Sequence, residues 1–239
     1  MTDPLLEQTY DPRVDGAMRA KGAKLVKPRD AATLIIVRRD AAKPRLLMGH
    51  RGSGHDFMPD KWVFPGGRID RGDFHAPVAS ELRPDVAARL NKTGPAHRVR
   101  ALALTAIRET FEEAGLLLAK PAPVRPAAGP WREFIEIGAA PDLAALDFIA
   151  RAITPPYRPK RFDARFFMAN AESLLSLERR PDCGELDEIA WVDLDEALAL
   201  DLPNVTRFVV HELAQRLEDP SRPAPYMRFL RGARHLTHL

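Results

Sequence analysis

Residues 107–116 read Ile107-Arg108-Glu109-Thr110-Phe111-Glu112-Glu113-Ala114-Gly115-Leu116. Glu112 and Glu113 follow Glu109 by three and four positions, so on a helix the three carboxylates share one face. Ala103, Ala106, Ile107, Thr110, Phe111 and Ala114 repeat at the same spacing on the opposite side. The pattern predicts a helix over 97–114 with one face for a core and one that gathers acids. Like charges this close repel and weaken an isolated helix. A divalent cation would relieve the repulsion, because hard cations take carboxylate oxygens as ligands. A solvated charged face is the plainer reading of the same residues. Gly115 is a helix stop, free to take positive φ.

Outward from this stretch the chain reads as strands and loops. Ala31–Val37 is an apolar, β-rich run, and Arg45–Met48 follows a turn at Asp40–Pro44. His50–Asp60 reads as a loop, and Lys61–Phe64 as a short strand stopped by Pro65-Gly66-Gly67. Arg68–Gly72 continues as strand and turn. Residues 76–91 read as a helix interrupted near Pro84, and Leu116–Leu118 as a strand after the acidic helix. Lys120–Pro130 carries four prolines and reads as an irregular connection. Short helices are expected at Trp131–Ile137 and Pro141–Leu146, and strands at Phe148–Ile153, Ala164–Ala169 and Leu186–Val192. Asp193 and Glu196 have the spacing of a capping box opening a helix to Ala199, and a last helix spans Pro203–Leu217. The expected division is an arm over 1–30, a domain over 31–217 with insertions near 74–96 and 120–147, and a tail over 218–239. Hairpin-like spacing outweighs strand–helix alternation, which argues for an α+β fold with a mixed sheet.

Composition narrows the function classes. The 36 basic and 33 acidic residues nearly balance, which argues against a nucleic-acid binder. Cys183 is the single cysteine, so an intramolecular disulfide and a cysteine-based zinc site are excluded. No leader pattern and no membrane-length apolar run are visible, so a cytoplasmic protein is expected. Dinucleotide and P-loop glycine motifs are absent, and Arg51-Gly52-Ser53-Gly54 lacks the spacing of a serine elbow.

Two adjacent glycines after a strand let a backbone approach a ligand closely. Gly67, five residues, Asp73, and then Arg108-Glu109-Thr110-Phe111-Glu112-Glu113-Ala114-Gly115-Leu116 together resemble the Nudix box. The family pattern is G-x5-E, seven residues, R-E-U-x-E-E-x-G-U, with U a bulky aliphatic. This chain has Asp73 in place of Glu and Thr110 in place of an aliphatic. Thirty-four residues, 74–107, replace the seven. A loop can grow at small entropic cost, so the enlarged spacer is physically tolerable. His50–Pro59 before Lys61–Gly67, Arg161–Phe167 and Glu188–Val192 are similar to the branch with an enlarged box that includes the mammalian peroxisomal coenzyme A diphosphatase.

The resemblance implies a Nudix-type α/β/α sandwich and Mg²⁺-dependent (or Mn²⁺-dependent) hydrolysis of a nucleoside diphosphate linked to another moiety. It implies Glu112 and Glu113 as metal ligands, Glu109 as ligand or base, the Gly67 carbonyl as a further ligand, and Arg108 as a brace. Asp73 would support that set. Arg51, Arg158 and Arg161, with Lys160, are candidate phosphate contacts, or simply a basic surface. Glu185 and Glu188 precede a strand where family members often place a base or another ligand. Coenzyme A is one candidate substrate. Leu46-Leu47 and Phe64-Pro65-Gly66-Gly67 fit the coenzyme A-associated pattern, whereas Met48 and His50 depart from it. ADP-ribose, dinucleotides and a non-catalytic ligand-binding module stay open. The expected partner is a small nucleotide, without nucleic acid or membrane, and a homodimer is one use for the insertion or last helix.

Overall fold

The computed structural model describes residues 18–54, 59–180, 186–230 and 233–239. One mixed sheet organises them. Its strands are β1 (Arg29–Arg38), β2 (Arg45–Arg51), β3 (Lys61–Val63), β4 (Gly66–Arg68), β7 (Asp147–Ile153), β8 (Phe162–Asn170), β9 (Glu188–Asp193), β10 (Pro225–Leu230) and β11 (Ala233–His238). The order is β11-β10-β7-β8-β1-β2-β3, with β4 also paired to β1 and β9 to β2. β1 runs parallel to β8, and β10 parallel to β7. β5 (Ala119–Pro121) and β6 (Ala139–Pro141) form a separate small ladder.

β1 is apolar without alternation because both its faces are covered. Ala32, Leu34 and Ile36 join one core with Phe167 and with Leu102, Ala103, Ala106 and Ile107 of α2 (Ala96–Ala114). Ile35 and Val37 join the other core with Phe166, Phe208, Val209 and Leu213. The last three belong to α5 (Asn204–Glu218), which follows α4 (Leu194–Ala199). Helices therefore cover both sides of the sheet, as the α/β/α expectation required. α1 (Pro84–Asn91) lies just before α2, and α3 (Arg132–Glu136) just before β6. Among the described residues, no helix is long and apolar enough to cross a membrane.

The ends of α2 and α4 follow from local chemistry. Gly115 takes φ 68°, and its N–H closes on the Phe111 carbonyl at 2.9 Å. Arg179 Nε donates to the Ala114 carbonyl (3.0 Å), placing a cation at the negative end of the helix. Asp193 and Glu196 form the expected capping box at the start of α4.

Several expectations need correction. Pro84 opens α1 rather than interrupting a longer helix, because proline's missing N–H costs nothing in a first turn. Leu116–Leu118 is not a strand; pairing begins at Ala119. Pro141–Leu146 gives only a single 3-10 turn at Leu143–Ala145. The tail is largely sheet: Met227 pairs with Ala152, and β11 lies antiparallel to β10. Pro225 is the first residue of its strand, a place where a missing donor is tolerated. A buried knot fixes the approach to β10. Arg216 donates to Glu212 (2.8 Å) and to the Arg222 carbonyl (2.8 Å), and Arg222 donates to Glu212 (3.2 Å).

Replacing Gly115 by Ala forces a Cβ into left-handed backbone. The expected loss is about 1–2 kcal/mol of unfolding free energy. It would be read from the urea midpoint, with an unchanged m-value showing that the fold is kept.

Candidate functional site

The site is built on a buried ion pair. A 3-10 turn at Arg71–Phe74 places Asp73 completely out of solvent. Asp70 and Asp73 cap this turn reciprocally, with the Asp70 N–H donating to Asp73 Oδ2 at 2.8 Å. Arg108 Nε donates to Oδ1 (2.9 Å) and Nη2 to Oδ2 (3.1 Å), a two-pronged contact. The Thr105 hydroxyl (2.8 Å, to Oδ2) and the Trp131 indole N–H (2.9 Å, to Oδ1) complete the shell. The shorter aspartate suffices because the turn itself carries the carboxylate to the helix.

Arg108 also holds the acids beside it. Nη1 lies 2.7 Å from Glu112 Oε2 and 2.8 Å from Glu109 Oε1. Burial works against its charge, yet the Asp73 bonds and the Glu109 and Glu112 carboxylates keep it protonated well above the ordinary range. Burial pushes the Glu109 carboxyl up, against the pull of Arg108, and Glu112 and Asp73 add to the rise. Burial raises Glu112 likewise, with Asp73 and Asp70 as the repelling neighbours.

Glu113 is held differently. Its Oε2 accepts from the Gly66 N–H (2.9 Å), and Arg51 Nη2 donates to its Oε1 (3.2 Å). Gly67 faces Glu109: a Cβ there would lie 2.5 Å from the carboxylate. Thr110 replaces the family's aliphatic without a buried orphan, because its hydroxyl bonds the Ala106 carbonyl at 2.8 Å.

The donor set suits a hard divalent ion: three carboxylates on one helix face and a glycine turn against them. Arg108 now takes up much of that charge, and among the described residues no three acidic, histidine or cysteine side chains form a ready cage. Arg108 meets Glu109 at Oε1 and Glu112 at Oε2, so it can brace both carboxylates while each turns its other oxygen to an ion.

Glu109 and Glu113 line one part of a cavity of about 650 Å³. Arg51, Arg158 and Arg161 line it too, so all three arginines expected near phosphate share a space with the acids. Glu112 and Arg108 are absent from that lining; Arg108 borders a shallower neighbouring hollow with Glu109 and Asp70. Glu185 lies outside the described residues, as do His55 and Cys183. Glu188 pairs with His50 across β9 and β2, and the His50 ring leans on Trp62 (5.5 Å). Trp131 is buried, as expected of a core residue, but its N–H also binds Asp73, which no spacing announced. Arg29, Arg68, Phe229 and Arg234 are further lining residues that the sequence did not single out.

A sandwich of this topology, with a glycine turn beneath an Arg-Glu-x-x-Glu-Glu helix, defines a Nudix-type domain. The crystal structure of a Nudix hydrolase from Alicyclobacillus acidocaldarius is similar, with 30% identity and a TM-score of 0.59, covering 79% of this chain and 91% of that one. The chain belongs to the Nudix hydrolase family. It is 29% identical to the acyl-coenzyme A diphosphatase NUDT19 of Gallus gallus and 28% identical to that of Homo sapiens, over 64% of this chain in each case. Those matches cover 55% and 54% of the relatives, so the chain spans about half their length. No protein-family model matches the chain.

Removing the Asp73 charge leaves a buried guanidinium without its main partner. Asp73→Asn is expected to cost about 3–5 kcal/mol, and Trp131→Phe about 1 kcal/mol. Denaturant titration measures both; equal midpoints for wild type and Asp73→Asn would contradict the central place of this pair.

Proposed function

We propose that the chain hydrolyses the diphosphate of coenzyme A or an acyl-coenzyme A, with Mg²⁺ (or Mn²⁺) held by Glu109, Glu112, Glu113 and the Gly67 carbonyl. The observation that carries this reading is the cavity. It joins the Glu109–Glu113 end to basic side chains and to an apolar wall that includes Phe166, Phe208 and Met227. A nucleotide with a long, mostly uncharged arm needs both kinds of surface. The similarity to acyl-coenzyme A diphosphatases supports the same substrate class.

A bound divalent ion would supply charge neutralisation of the diphosphate and a more acidic attacking water. The chain's residues do the rest. Glu113, tethered by the Gly66 N–H and Arg51, gives the site a fixed anionic corner. Glu109 faces Gly67 at the turn and is the group to take the water's proton. The water oxygen bonds one phosphorus, the bridging P–O bond breaks, and the bridging oxygen leaves with the other phosphate. Arg51 stands beside Glu113 to take phosphate oxygens. Asp73 and Trp131 act through Arg108 by fixing its orientation.

Product formation from coenzyme A, acyl-coenzyme A, ADP-ribose, NADH and a dinucleoside polyphosphate, with and without Mg²⁺, tests the reading. Coenzyme A compounds are expected to turn over best, and only with metal. Glu112→Gln/Glu113→Gln is expected to lower kcat by at least about a hundredfold. Full Mg²⁺-dependent activity in that variant would refute the metal assignment, and binding without turnover of any compound would favour a sensor.

Gly67→Ala separates site from fold. Its Cβ meets first the end of the Glu109 side chain, which can turn aside, so a stability change within about 1 kcal/mol is expected. Activity should fall by about tenfold or more as Glu109 is displaced.

A further inference from the structure

The cavity gathers cations from five segments: Arg29 on β1, Arg51 on β2, Arg68 on β4, Arg158, Lys160 and Arg161 between β7 and β8, and Arg234 on β11. Among the described lining residues the carboxylates are Glu109 and Glu113, both at the glycine turn. Arg161 is partly buried, and its guanidinium donates to two carbonyls, Val26 (2.7 Å) and Thr154 (3.0 Å). Burial holds it below the ordinary arginine range, with no carboxylate among the described residues to offset it. A guanidinium that loses water without gaining an anion is costly, and an anion in the cavity would remove that cost.

The C-terminal strands meet the same place. The Phe229 ring stands edge-on to Tyr157 of the β7–β8 loop (5.7 Å), and Arg234 lies over the Phe229 ring (5.6 Å). Arg29 N–H donates to the Arg161 carbonyl (3.0 Å), tying the loop to the start of β1. Strand order sets the span. From β4, β8 is two strands away, about 10 Å at ordinary spacing, and β11, which carries Arg234, is five, about 24 Å. Arg158, Lys160 and Arg161 of the β7–β8 loop are therefore set apart from the glycine turn yet within reach of one nucleotide, and Arg234, over the Phe229 ring that packs on Tyr157 of this loop, borders them from the outer side.

We infer that the β7–β8 loop and the β10–β11 pair form a second anion subsite, which takes a phosphomonoester of the substrate distinct from the diphosphate that is cleaved. Arg158, Lys160, Arg161 and Arg234 supply its donors. The location of the cleaved diphosphate rests on the hydrolase reading above. The subsite sorts the candidate substrates: coenzyme A carries a ribose phosphomonoester, whereas ADP-ribose and NADH do not. It also gives the C-terminal strands a role in specificity rather than in sheet closure alone.

The test is the ratio of kcat/KM for coenzyme A over dephospho-coenzyme A, in wild type, Arg161→Ala, Arg234→Ala and the double variant. Charge-assisted bonds to phosphate predict a wild-type ratio of about tenfold or more, falling towards one in the double variant. A ratio cancels any loss of folded enzyme. Arg161→Lys keeps the charge and should keep most of the preference. The ratio of NADPH over NADH separates a 2′-phosphate from a 3′-phosphate as the preferred group. A wild-type coenzyme A ratio near one, or a ratio that the variants do not change, overturns the subsite whatever the absolute rates. If neither coenzyme is cleaved, the hydrolase reading fails by itself. Calorimetric affinities for adenosine 3′,5′-bisphosphate and AMP then decide the subsite. Tighter bisphosphate binding that the variants lose supports it, and equal binding overturns it.

Discussion

The pair between Asp73 and Arg108 is the contact on which the acidic helix depends. A carboxylate with no solvent exposure must be matched by a charge and by hydrogen bonds, and Asp73 receives five. The guanidinium it orients then separates Glu109 from Glu112, which would otherwise repel. Glu113 is tied independently to the Gly66 N–H. The acidic face of α2 is thus anchored at two points of one short segment, 66–73, and its side chains are placed by that segment rather than by helix geometry alone.

This explains why a long insertion between the two halves of the motif does no harm. The cost of lengthening a loop rises slowly, and the insertion is itself folded. Val86 and Leu90 of α1 enter the α2 core. The stretch 120–147 contributes Trp131, which packs on Phe134 (5.2 Å) and donates its indole proton to Asp73. Both segments pack on α2, and the buried carboxylate gains a donor from a residue that lies beyond the motif.

What was legible in the sequence was what is local. The period of α2, its Gly115 stop, the box at Asp193–Glu196 and the apolar run of β1 depend on near neighbours, and they were readable. Pro84 marked a break without saying on which side the helix lay. Residues 225–238 looked like a tail because their partners, Arg151 and Ala152, are more than seventy positions away. The site divides in the same way. Arg108 and the three glutamates were legible by spacing, and their setting was not. Thr105, Trp131 and Arg234 carry no local signal, and the buried Arg165 stands next to the apolar run Phe166–Ala169. Its bonds to Asp30 and the Thr93 carbonyl are tertiary facts.

Gly66 is required by the architecture before any metal is considered, and Gly67 keeps Glu109 in its place. α2 packs on one face of the sheet, while Phe166, Phe208 and Met227 place the cavity on the other. Carboxylates from the first layer reach the second space where β1 changes partner, from β2 near Val37 to β4 at Ala31–Thr33. At that seam the backbone of 66–67 is pressed from both sides. A Cβ at 66 would lie 2.5 Å from Thr33 Oγ1 and 2.7 Å from the Ala32 carbonyl, and one at 67 would strike Glu109. Successive residues of a strand point to opposite faces, so one glycine clears the sheet neighbour and the next clears the helix acid. The same lack of side chains leaves bare backbone between the acids and the cavity. A turn that must be bare to fit between two layers is also the place where a phosphate can come closest to both.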